Sequence, residues 1–577
     1  MRVSSIYPSS EGASGDSSAL LRPFDDAAFD EARRAHIPVF LIIGEADPAL
    51  CDPALHAHLS SRTVPVRLLP GMRPDVELLC QRCGALTSGE GVLPLYALLL
   101  ENGLPFLAAP APPAGYPLDP SRLLAWLEHA ERRFHQNHPA MTAQAAQVLA
   151  SISGEKGART LSPQDAADRL LHTLTTAEDK RRGGFAGVKA PYVPALLFLH
   201  HAGSSGHGVL ARALDAMLAS ALYDPLDGLF FRSTLTEDWR LFTPEKPLGV
   251  NALLALLLLL NGHRSEAVRT LDSMLSSFDV GSGSLCPLLR GDSAAYAFSA
   301  DQVCSLLGCE DGLRACRLLS LLRSRSGETP KVTPSRFSPL PAAPARAFYQ
   351  EDPLLTPTLS ASVTPDDAAF LRRAIPVLRR ARAARTPERP SPVQLPMESG
   401  VAAAVLARCG RRLGEPRYVQ AAQRIVSRLV ALPPPPGAPS GLPPAYAPSR
   451  QAYASCGAAA ALALAQLTLG QGEGMDEYAR SGMRTLSRAL YTFVRQDGLV
   501  MHTPDDPAAF LPRLPALCDS ELPSPAALLA GSLRIAHTLY PGEGCADAAD
   551  TLWRAAAPII RTQGAACAAL TGVMLMR

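Results

Sequence analysis

Residues 249–277 read GVNALLALLLLLNGHRSEAVRTLDSMLSS, and this stretch decides the fold of most of the chain. Its first half, Gly249 to Leu260, is apolar nearly all round, which is typical of a helix that is buried on every side. Asn261-Gly262 then ends the helix, as glycine and asparagine commonly do. The second half, Ser265 to Ser277, has one apolar and one polar face. The stretch therefore predicts a buried helix paired with a half-exposed one.

The same pairing recurs three times toward the C-terminus. Each pair joins a very apolar helix to a more amphipathic one, and glycine or proline marks the turn. The pairs are Gly400–Arg412 with Arg417–Leu432, Tyr453–Leu469 with Met475–Val494, and Ser524–Tyr540 with Cys545–Ile560. A buried inner ring inside a half-exposed outer ring predicts an α/α toroid over residues 165–577. The irregular spacing and the lack of a repeat consensus argue against a helical-repeat solenoid.

Two stretches interrupt the helical pairs. Residues 324–367 are rich in proline, serine and threonine, and residues 433–448 begin as near-polyproline. Such compositions are typical of extended or disordered segments. Both are predicted to be surface loops of the toroid.

The N-terminal part alternates between helix and strand signals. A charged amphipathic helix, Asp25 to His36, is followed by predicted strands at Pro38–Ile43, Val64–Leu69 and Pro94–Leu100, with helices between them. Glu101-Asn102-Gly103 is a turn into a last strand, Leu104 to Ala109. This order predicts a small α/β domain over residues 23–118. Residues 1–22 are expected to be disordered, and residues 119–164 to form a helical linker.

Composition excludes several classes of protein. The chain has 55 Lys and Arg against 53 Asp and Glu, a formal charge of +2, so no nucleic-acid partner is expected. The longest apolar run, Leu253 to Leu260, is far shorter than a membrane span, and the N-terminus has no apolar signal segment. Twelve cysteines scattered over 577 residues fit a reducing compartment. We therefore expect a cytoplasmic protein.

Several segments in collinear order resemble the spermatogenesis-associated protein 20 family. They are FDDAAFDEARRAHIPVFLIIG (24–44), RPDVELL (73–79), VLPLYALLLENGLPF (92–106), YDPLDGLFFRS (223–233), DWRLFTPEKPLGVNALL (238–254) and DSELPSPAALLAGSLRIAH (519–537). Members are thioredoxin-domain proteins of unknown function. The resemblance implies a thioredoxin-like domain followed by an (α/α)6 toroid of the six-hairpin glycosidase and sugar-epimerase type. The departures from the family pattern indicate a divergent member.

The resemblance also implies that the redox site is degenerate. The family's Cys-His-x-Cys-His pattern falls on residues 48–52, where Pro48 replaces the first cysteine and Cys51 is the second. Thiol–disulfide exchange needs the first cysteine as the attacking thiolate. Pro94 matches the family's cis-proline position. The domain is therefore predicted to be redox-inactive, and the Cys80-x-x-Cys83 pair is interpreted as packing cysteines because no second ligand pair lies nearby.

The toroid's candidate site rests on the family-like segment around residue 245. A glycosidase needs two carboxylates, whereas an epimerase wants histidines that move a proton. Both family histidines are lost, to Phe231 and Thr243. The candidate catalytic residues are Glu245, Glu398 and Asp497. The candidate ligand-binding residues are Arg232, Trp239, Lys246, Asn251 and Asp179.

Three hypotheses of function follow. The first is a redox-inactive, pseudoenzyme-like protein whose toroid binds a small polar or carbohydrate-like ligand with weak or no catalysis. The second is an active glycosidase- or epimerase-type enzyme that uses Glu245. The third is an interaction scaffold that docks a protein partner through the thioredoxin-like face. No metal or other cofactor is expected in any of them.

Overall fold

The structure, a computed structural model, describes most of the chain. The described residues are 20–89, 91–112, 118–153, 160–234, 236–240, 242–281, 283–291, 296–321, 358, 363–385, 387–435, 441–447, 453–506, 509 and 511–576. The predicted disordered N-terminus lies outside them up to residue 19. Nearly all of the predicted loop 324–367, and residues 436–440 and 448 of the second loop, also lie outside them.

The described residues form two compact units. The first contains residues 20–153 and 501–515, and the second contains the remainder from residue 160 onward. The predicted domain boundaries at 118 and 164 stay predictions. The helices of the predicted linker, however, belong to the first unit.

The first unit is built on a five-stranded mixed sheet in the order β1-β3-β2-β4-β5. Strands β1, β3 and β2 are parallel, β4 is antiparallel to β2, and β5 is antiparallel to β4. The strands are β1 Arg22–Pro23, β2 Val39–Ile43, β3 Val64–Leu68, β4 Leu95–Leu99 and β5 Pro105–Pro110. The helices are α1 Asp26–Ala35, α2 Pro53–Arg62, α3 Pro74–Thr87, α4 Pro120–Gln136 and α5 His138–Ser153. The predicted α/β order is confirmed, and the short strand β1 is an addition to it.

Local sequence explains these elements. Every residue of β2 is buried, and its β-branched and large apolar side chains suit a central strand. The Asp25 carboxylate accepts a hydrogen bond from the Ala28 N–H and so caps α1. His36 ends the helix in the left-handed conformation. A short 3₁₀ helix, Pro48–Cys51, joins β2 to α2.

The second unit is a closed double ring of helices. Its helices are α6 Pro163–Ala177, α7 Val193–His201, α8 Ser204–Leu218, α9 Leu248–Leu260, α10 Arg264–Ser277, α11 Ala300–Leu307, α12 Cys309–Leu318, α13 Pro365–Arg385, α14 Pro396–Leu413, α15 Pro416–Val430, α16 Cys456–Gly470, α17 Asp476–Phe493, α18 Pro525–Leu539, α19 Cys545–Gln563 and α20 Ala568–Met574. Six of them, in the described part of the chain, pack in a cycle as α7-α9-α14-α16-α18-α20 and back to α7. The outer helices α8, α10, α15, α17, α19 and α6 each pack on at least one inner helix. The predicted helical toroid is confirmed.

The inner helices approach closely because small residues line their contacts. A Cβ atom added to Gly400 of α14 would lie 2.8 Å from the Ala461 carbonyl carbon in α16. Glycine is therefore required at this contact. The inner cycle closes where α20 meets α7, and outer helix α6 also packs on α20. The Trp553 indole N–H donates to the Leu161 carbonyl, just before α6, at 2.8 Å.

An insertion between α10 and α14 carries helices α11 to α13 and part of a small sheet. Two short hairpin strands, β6 Tyr223–Asp224 and β7 Leu229–Phe230, precede it in the chain. The sheet has the order β10-β9-β8, with β8 Glu245–Pro247, β9 Leu288–Arg290 and β10 Arg389–Pro390. Helix α13 begins at Pro365, inside the predicted loop 324–367.

The described part of the second predicted loop differs from a surface loop. Residues Leu442 and Ala445 to Ala447 are buried. The reason is that Ala447 exchanges two backbone hydrogen bonds with Gln394, of 2.7 and 3.0 Å, just before α14. None of the helices that the structure describes combines the length and the hydropathy of a bilayer-spanning segment.

Candidate functional site

Strand β8 separates two groups of charged side chains, because successive residues of a strand face opposite sides. Glu245 lies on one side with Arg290, its cross-strand neighbour in β9. Lys246 lies on the other side and is fully buried. One short strand therefore positions residues of both groups.

The first group, the carboxylate–arginine cluster, is partly open to solvent. Glu245 accepts hydrogen bonds from two guanidinium groups, from Arg232 Nε to Oε2 at 2.8 Å and from Arg290 Nε to Oε1 at 2.9 Å. Arg232 also donates through Nη1 to Glu521, whose side chain is 43% exposed. Arg232 therefore bridges two carboxylates that are far apart in sequence. The cluster consists of five residues, which are Arg232, Glu245, Arg290, Glu398 and Glu521.

Glu398 lies in the first turn of α14 and contacts the beginning of α9. Its Oε2 accepts a hydrogen bond from the Gly249 N–H at 2.7 Å. Burial, together with the negative charge of Glu521, raises the pKa of Glu398 to about 7. A carboxyl group with a pKa close to neutrality can give and take a proton at physiological pH.

The second group, the buried ionic network, contains two cations and three carboxylates. Lys246 Nζ contacts Asp224 Oδ2 at 2.9 Å, Asp227 Oδ2 at 2.5 Å and Glu388 Oε1 at 2.8 Å. Arg382 contacts the same two aspartates at 2.6 and 2.8 Å. These groups satisfy one another, as buried charges require.

The network shifts the pKa values of its two aspartates in opposite directions. Burial opposes ionisation of Asp224, but Arg382 and Lys246 outweigh burial and lower its pKa. Burial and the charge of Asp224 instead raise the pKa of Asp227. A cavity of about 240 Å³ lies beside the network and is lined in part by Asp227, Tyr296, Arg382 and Glu388. This volume is small for a ligand pocket.

Three predicted ligand-binding residues have internal partners. Asn251 is fully buried, and its amide bonds the Phe230 N–H, the Phe230 carbonyl and the Pro247 carbonyl at 2.7 to 2.9 Å. The Trp239 indole N–H donates to the Arg182 carbonyl at 3.0 Å.

Asp179 contacts Lys189 Nζ at 2.8 Å. With Lys246, these residues stay predicted ligand contacts, but their geometry is that of structural groups. Among the five predicted ligand-binding residues, Arg232 is the one that belongs to the cluster.

Asp497, a predicted catalytic residue, pairs with a residue outside the cluster. It is in the turn between Val494 and Val500, where it pairs with Arg495 at 2.7 Å and is half exposed. The neighbouring Gly498 packs against Thr551 of the outer helix α19. Asp497 is therefore not among the residues that Arg232 joins to Glu245.

The residues of the predicted degenerate redox site lie in a short 3₁₀ helix and at a cis peptide bond. Pro48 is the first residue of the 3₁₀ helix and Cys51 its last, and the Leu93–Pro94 peptide bond is cis. Cys80 and Cys83 are buried in α3, and burial raises the pKa of both thiols, that of Cys83 to about 12. All twelve cysteines lie in the described part of the chain and are in the thiol form.

Sequence reasoning missed four charged residues of the two groups. Arg290 and Glu521 belong to the cluster, and Arg382 and Glu388 belong to the network. Glu521 lies in the family-like segment 519–537, which was the available signal. The other three follow no pattern that distinguishes them from surface charges.

Comparison with known proteins gives a distant similarity. Spermatogenesis-associated protein 20 from Homo sapiens is 24% identical over 258 residues, which cover 40% of this chain and 33% of that protein. The match thus spans about a third of the relative's length. No protein-family model matches the chain.

Solved structures of helical sugar enzymes also align with the chain. A D-mannose isomerase aligns with a TM-score of 0.40 and 10% identity, covering 68% of this chain and 85% of that one. A cellobiose 2-epimerase from Spirochaeta thermophila aligns with a TM-score of 0.42 and 15% identity, covering 68% and 83%. At TM-scores below 0.5, these similarities do not bear on activity. The sequence similarity alone relates the chain, distantly, to spermatogenesis-associated protein 20.

Proposed function

We propose that the helical ring binds a small polar, carbohydrate-like ligand at the carboxylate–arginine cluster, as a divergent member of the spermatogenesis-associated protein 20 family. The observation that carries the proposal is Glu398, a carboxyl group at the first turns of two inner helices and close to the charge of a half-exposed Glu521. Sugar hydroxyls both donate to carboxylates and accept from guanidinium groups. The sequence resemblance to this family, which implies a toroid of the six-hairpin glycosidase and sugar-epimerase type, favours this class of ligand.

Calorimetric titration of the full chain with neutral mono- and disaccharides, D-mannose and cellobiose included, tests the proposal. We expect at least one to bind, and both Arg232→Gln and Glu398→Gln to weaken that binding by about tenfold or more. The matched control is Arg240→Gln, because Arg240 is 61% exposed and pairs only locally with Asp238. Absence of binding by the wild type, or binding by both cluster variants that is as tight as that of the wild type, would refute the proposal.

A catalytic role is the second candidate, and the contrast between two carboxylates favours it. Glu245 accepts a hydrogen bond from each of two guanidinium groups. The pKa of Glu398 is raised to about 7, so this carboxyl group retains its proton below that pH. Two carboxyl groups in such different surroundings within one site are a common arrangement for an acid and a base.

Deuterium uptake from D₂O at the carbon next to the carbonyl of a reducing sugar, followed by NMR, tests epimerase-type activity. Release of reducing ends from a disaccharide tests hydrolysis. If the ring is catalytic, Glu398→Gln and Glu245→Gln should each abolish turnover while Asp497→Asn keeps it. Turnover that survives both cluster substitutions would remove this candidate.

We also infer that the first unit is a thioredoxin-like domain without dithiol activity. Its strand order β1-β3-β2-β4-β5 with an antiparallel final pair supports this assignment, and Pro48 stands where the attacking cysteine is needed. An insulin-reduction assay should give no activity above that of Cys51→Ser. The interaction-scaffold hypothesis stays a prediction; a protein partner captured in stoichiometric amount and lost on deleting residues 1–118 would support it.

A further inference from the structure

Two cysteines of the helical ring lie next to each other although they are 49 positions apart in the sequence. Cys518 is in the segment that leads into α18, and Cys567 ends the short 3₁₀ helix Gly564–Cys567 before α20. The Cys567 thiol is hydrogen-bonded to Cys518. Cys567 is fully buried, whereas Cys518 is partly exposed.

The backbone fixes the two segments to each other beside the sulfur atoms. The Asp519 N–H donates to the Ala566 carbonyl at 2.6 Å. Asp519 directly follows Cys518 in the sequence, and Ala566 directly precedes Cys567. The Asp519 carboxylate then accepts from the Ser524 and Ala569 N–H groups, each at 2.8 Å. These bonds span the beginnings of α18 and α20, so the sulfur atoms are held together by well-anchored chain.

The surroundings give the two thiols different roles. The Cys518 thiol donates to the Gln563 side-chain oxygen at 3.4 Å and is within reach of solvent. The hydrogen bond to Cys518, followed by burial, raises the pKa of Cys567 well above that of an ordinary thiol. A partly exposed thiol beside a buried, protonated one is the arrangement of an attacking and a resolving cysteine.

We infer that Cys518 and Cys567 form a reversible dithiol site that a hydroperoxide oxidises to an internal disulfide. The Cys518 thiolate attacks the peroxide, the O–O bond breaks, and Cys518 sulfenic acid and one molecule of water or alcohol are formed. Cys567 then loses its proton and attacks the Cys518 sulfur, the S–O bond breaks, and water leaves. Two thiols and one hydroperoxide thus give one disulfide, one water and one alcohol or second water.

The test treats the full chain with one equivalent of hydrogen peroxide, blocks the remaining thiols with an alkylating agent and maps the peptides by mass spectrometry. We expect a peptide pair linked through Cys518 and Cys567 that dithiothreitol separates. Exposed Cys309 is the matched control, and Cys518 should react at least about tenfold faster than it does. The wild-type result does not depend on any variant folding.

Two variants separate the roles. Cys567→Ser should stop the reaction at Cys518 sulfenic acid, trapped with dimedone, and Cys518→Ser should leave Cys567 as a thiol. Cys309→Ser should keep the linked pair, and circular dichroism verifies folding. If Cys518 and Cys567 both remain thiols while Cys309 is oxidised, or if Cys518 links to another cysteine, the inference is wrong.

Discussion

The two faces of strand β8 carry equally charged but differently satisfied groups. On the buried face, Lys246 is enclosed by three carboxylates, and Arg382 covers two of the same three. On the other face, Glu245 is paired with two arginines, while Glu398 accepts one backbone N–H and carries a raised pKa. Charge density alone therefore does not identify a functional site. The informative feature is an ionisable group with a strongly shifted pKa, such as Glu398.

The largest effect is expected from removing the central cation of the buried network. Lys246→Met leaves Asp224 and Asp227 with Arg382 as their remaining cation, and Glu388 with the Tyr296 hydroxyl. The free energy of unfolding should therefore fall by about 3–5 kcal/mol. Urea denaturation followed by circular dichroism measures it. In the control, Arg480→Met removes a pair with Glu477 that is exposed on both sides and should cost less than about 1 kcal/mol. Equal losses of stability in the two variants would contradict the distinction between buried and exposed charges.

The pH dependence of stability sharpens the comparison on the open face. Glu398 has a folded pKa of about 7 against an ordinary 4.5, so the folded state keeps a proton that the unfolded chain releases between these values. Stability should therefore fall as the pH rises from about 5 to about 8, by on the order of 3 kcal/mol for this group. Buried Asp519, with a pKa raised to about 7, acts in the same direction.

Glu398→Gln tests this assignment, because it keeps an oxygen for the Gly249 N–H and removes the titration. The pH profile of unfolding should flatten in this variant, with the Asp519 part remaining. Asp497→Asn, in its exposed turn, should leave the profile unchanged. A Glu398→Gln profile as steep as that of the wild type would contradict the assignment.

A smaller effect is expected from crowding the helix contact that holds Glu398. A methyl group added at Gly249 would meet Glu398 Oε2 and lie 2.7 Å from Leu522 Cδ2. Gly249→Ala should therefore cost about 1–3 kcal/mol. The matched control is Gly531→Ala in inner helix α18, where the nearest atom is 3.9 Å away, and a gain of about 0.5–1 kcal/mol is expected. Thermal unfolding of the two variants compares them directly.

The smallest effect concerns the charge next to Glu398. Because the negative charge of Glu521 helps to raise the pKa of Glu398, Glu521→Gln should shift the midpoint of the pH profile to lower pH. The change in stability near neutral pH should stay below about 1 kcal/mol, since Glu521 is half exposed. Glu237→Gln, on another exposed arginine pair, should leave the midpoint in place.

Helices were predictable where composition alone marks them. Leu248–Leu260 and Cys456–Gly470 are apolar on all sides and end at Asn261 and Gln471, so both were found within three residues at each end. The α6 to α8 segment and the seven-residue α20 were not assigned, because they lack a long apolar run or a clear partner in sequence.

The candidate site was predictable only in part. Glu245 and Arg232 were chosen from family-like segments and Glu398 as an additional carboxylate outside them, and all three lie in the cluster. Glu521 is 289 positions from Arg232, and Glu398 reaches Gly249 across 149 positions. No local pattern reports such contacts.

A local sequence pattern also cannot show which carboxylates the ring brings together. Asp497 was grouped with Glu245 for this reason, although the turn that holds it lies against the outer helix α19.

The hydrogen bond from Trp553 to the Leu161 carbonyl has a consequence for how the ring is assembled. It ties a late helix to the residues just before α6, so the first and last hairpin elements are neighbours. Such a ring has no privileged starting hairpin. A circular permutant of the second unit that joins residues 160 and 576 by a short linker and opens at Gly414, between α14 and α15, should regain the same native packing. An open solenoid cut in this way would lose a contact that it cannot rebuild.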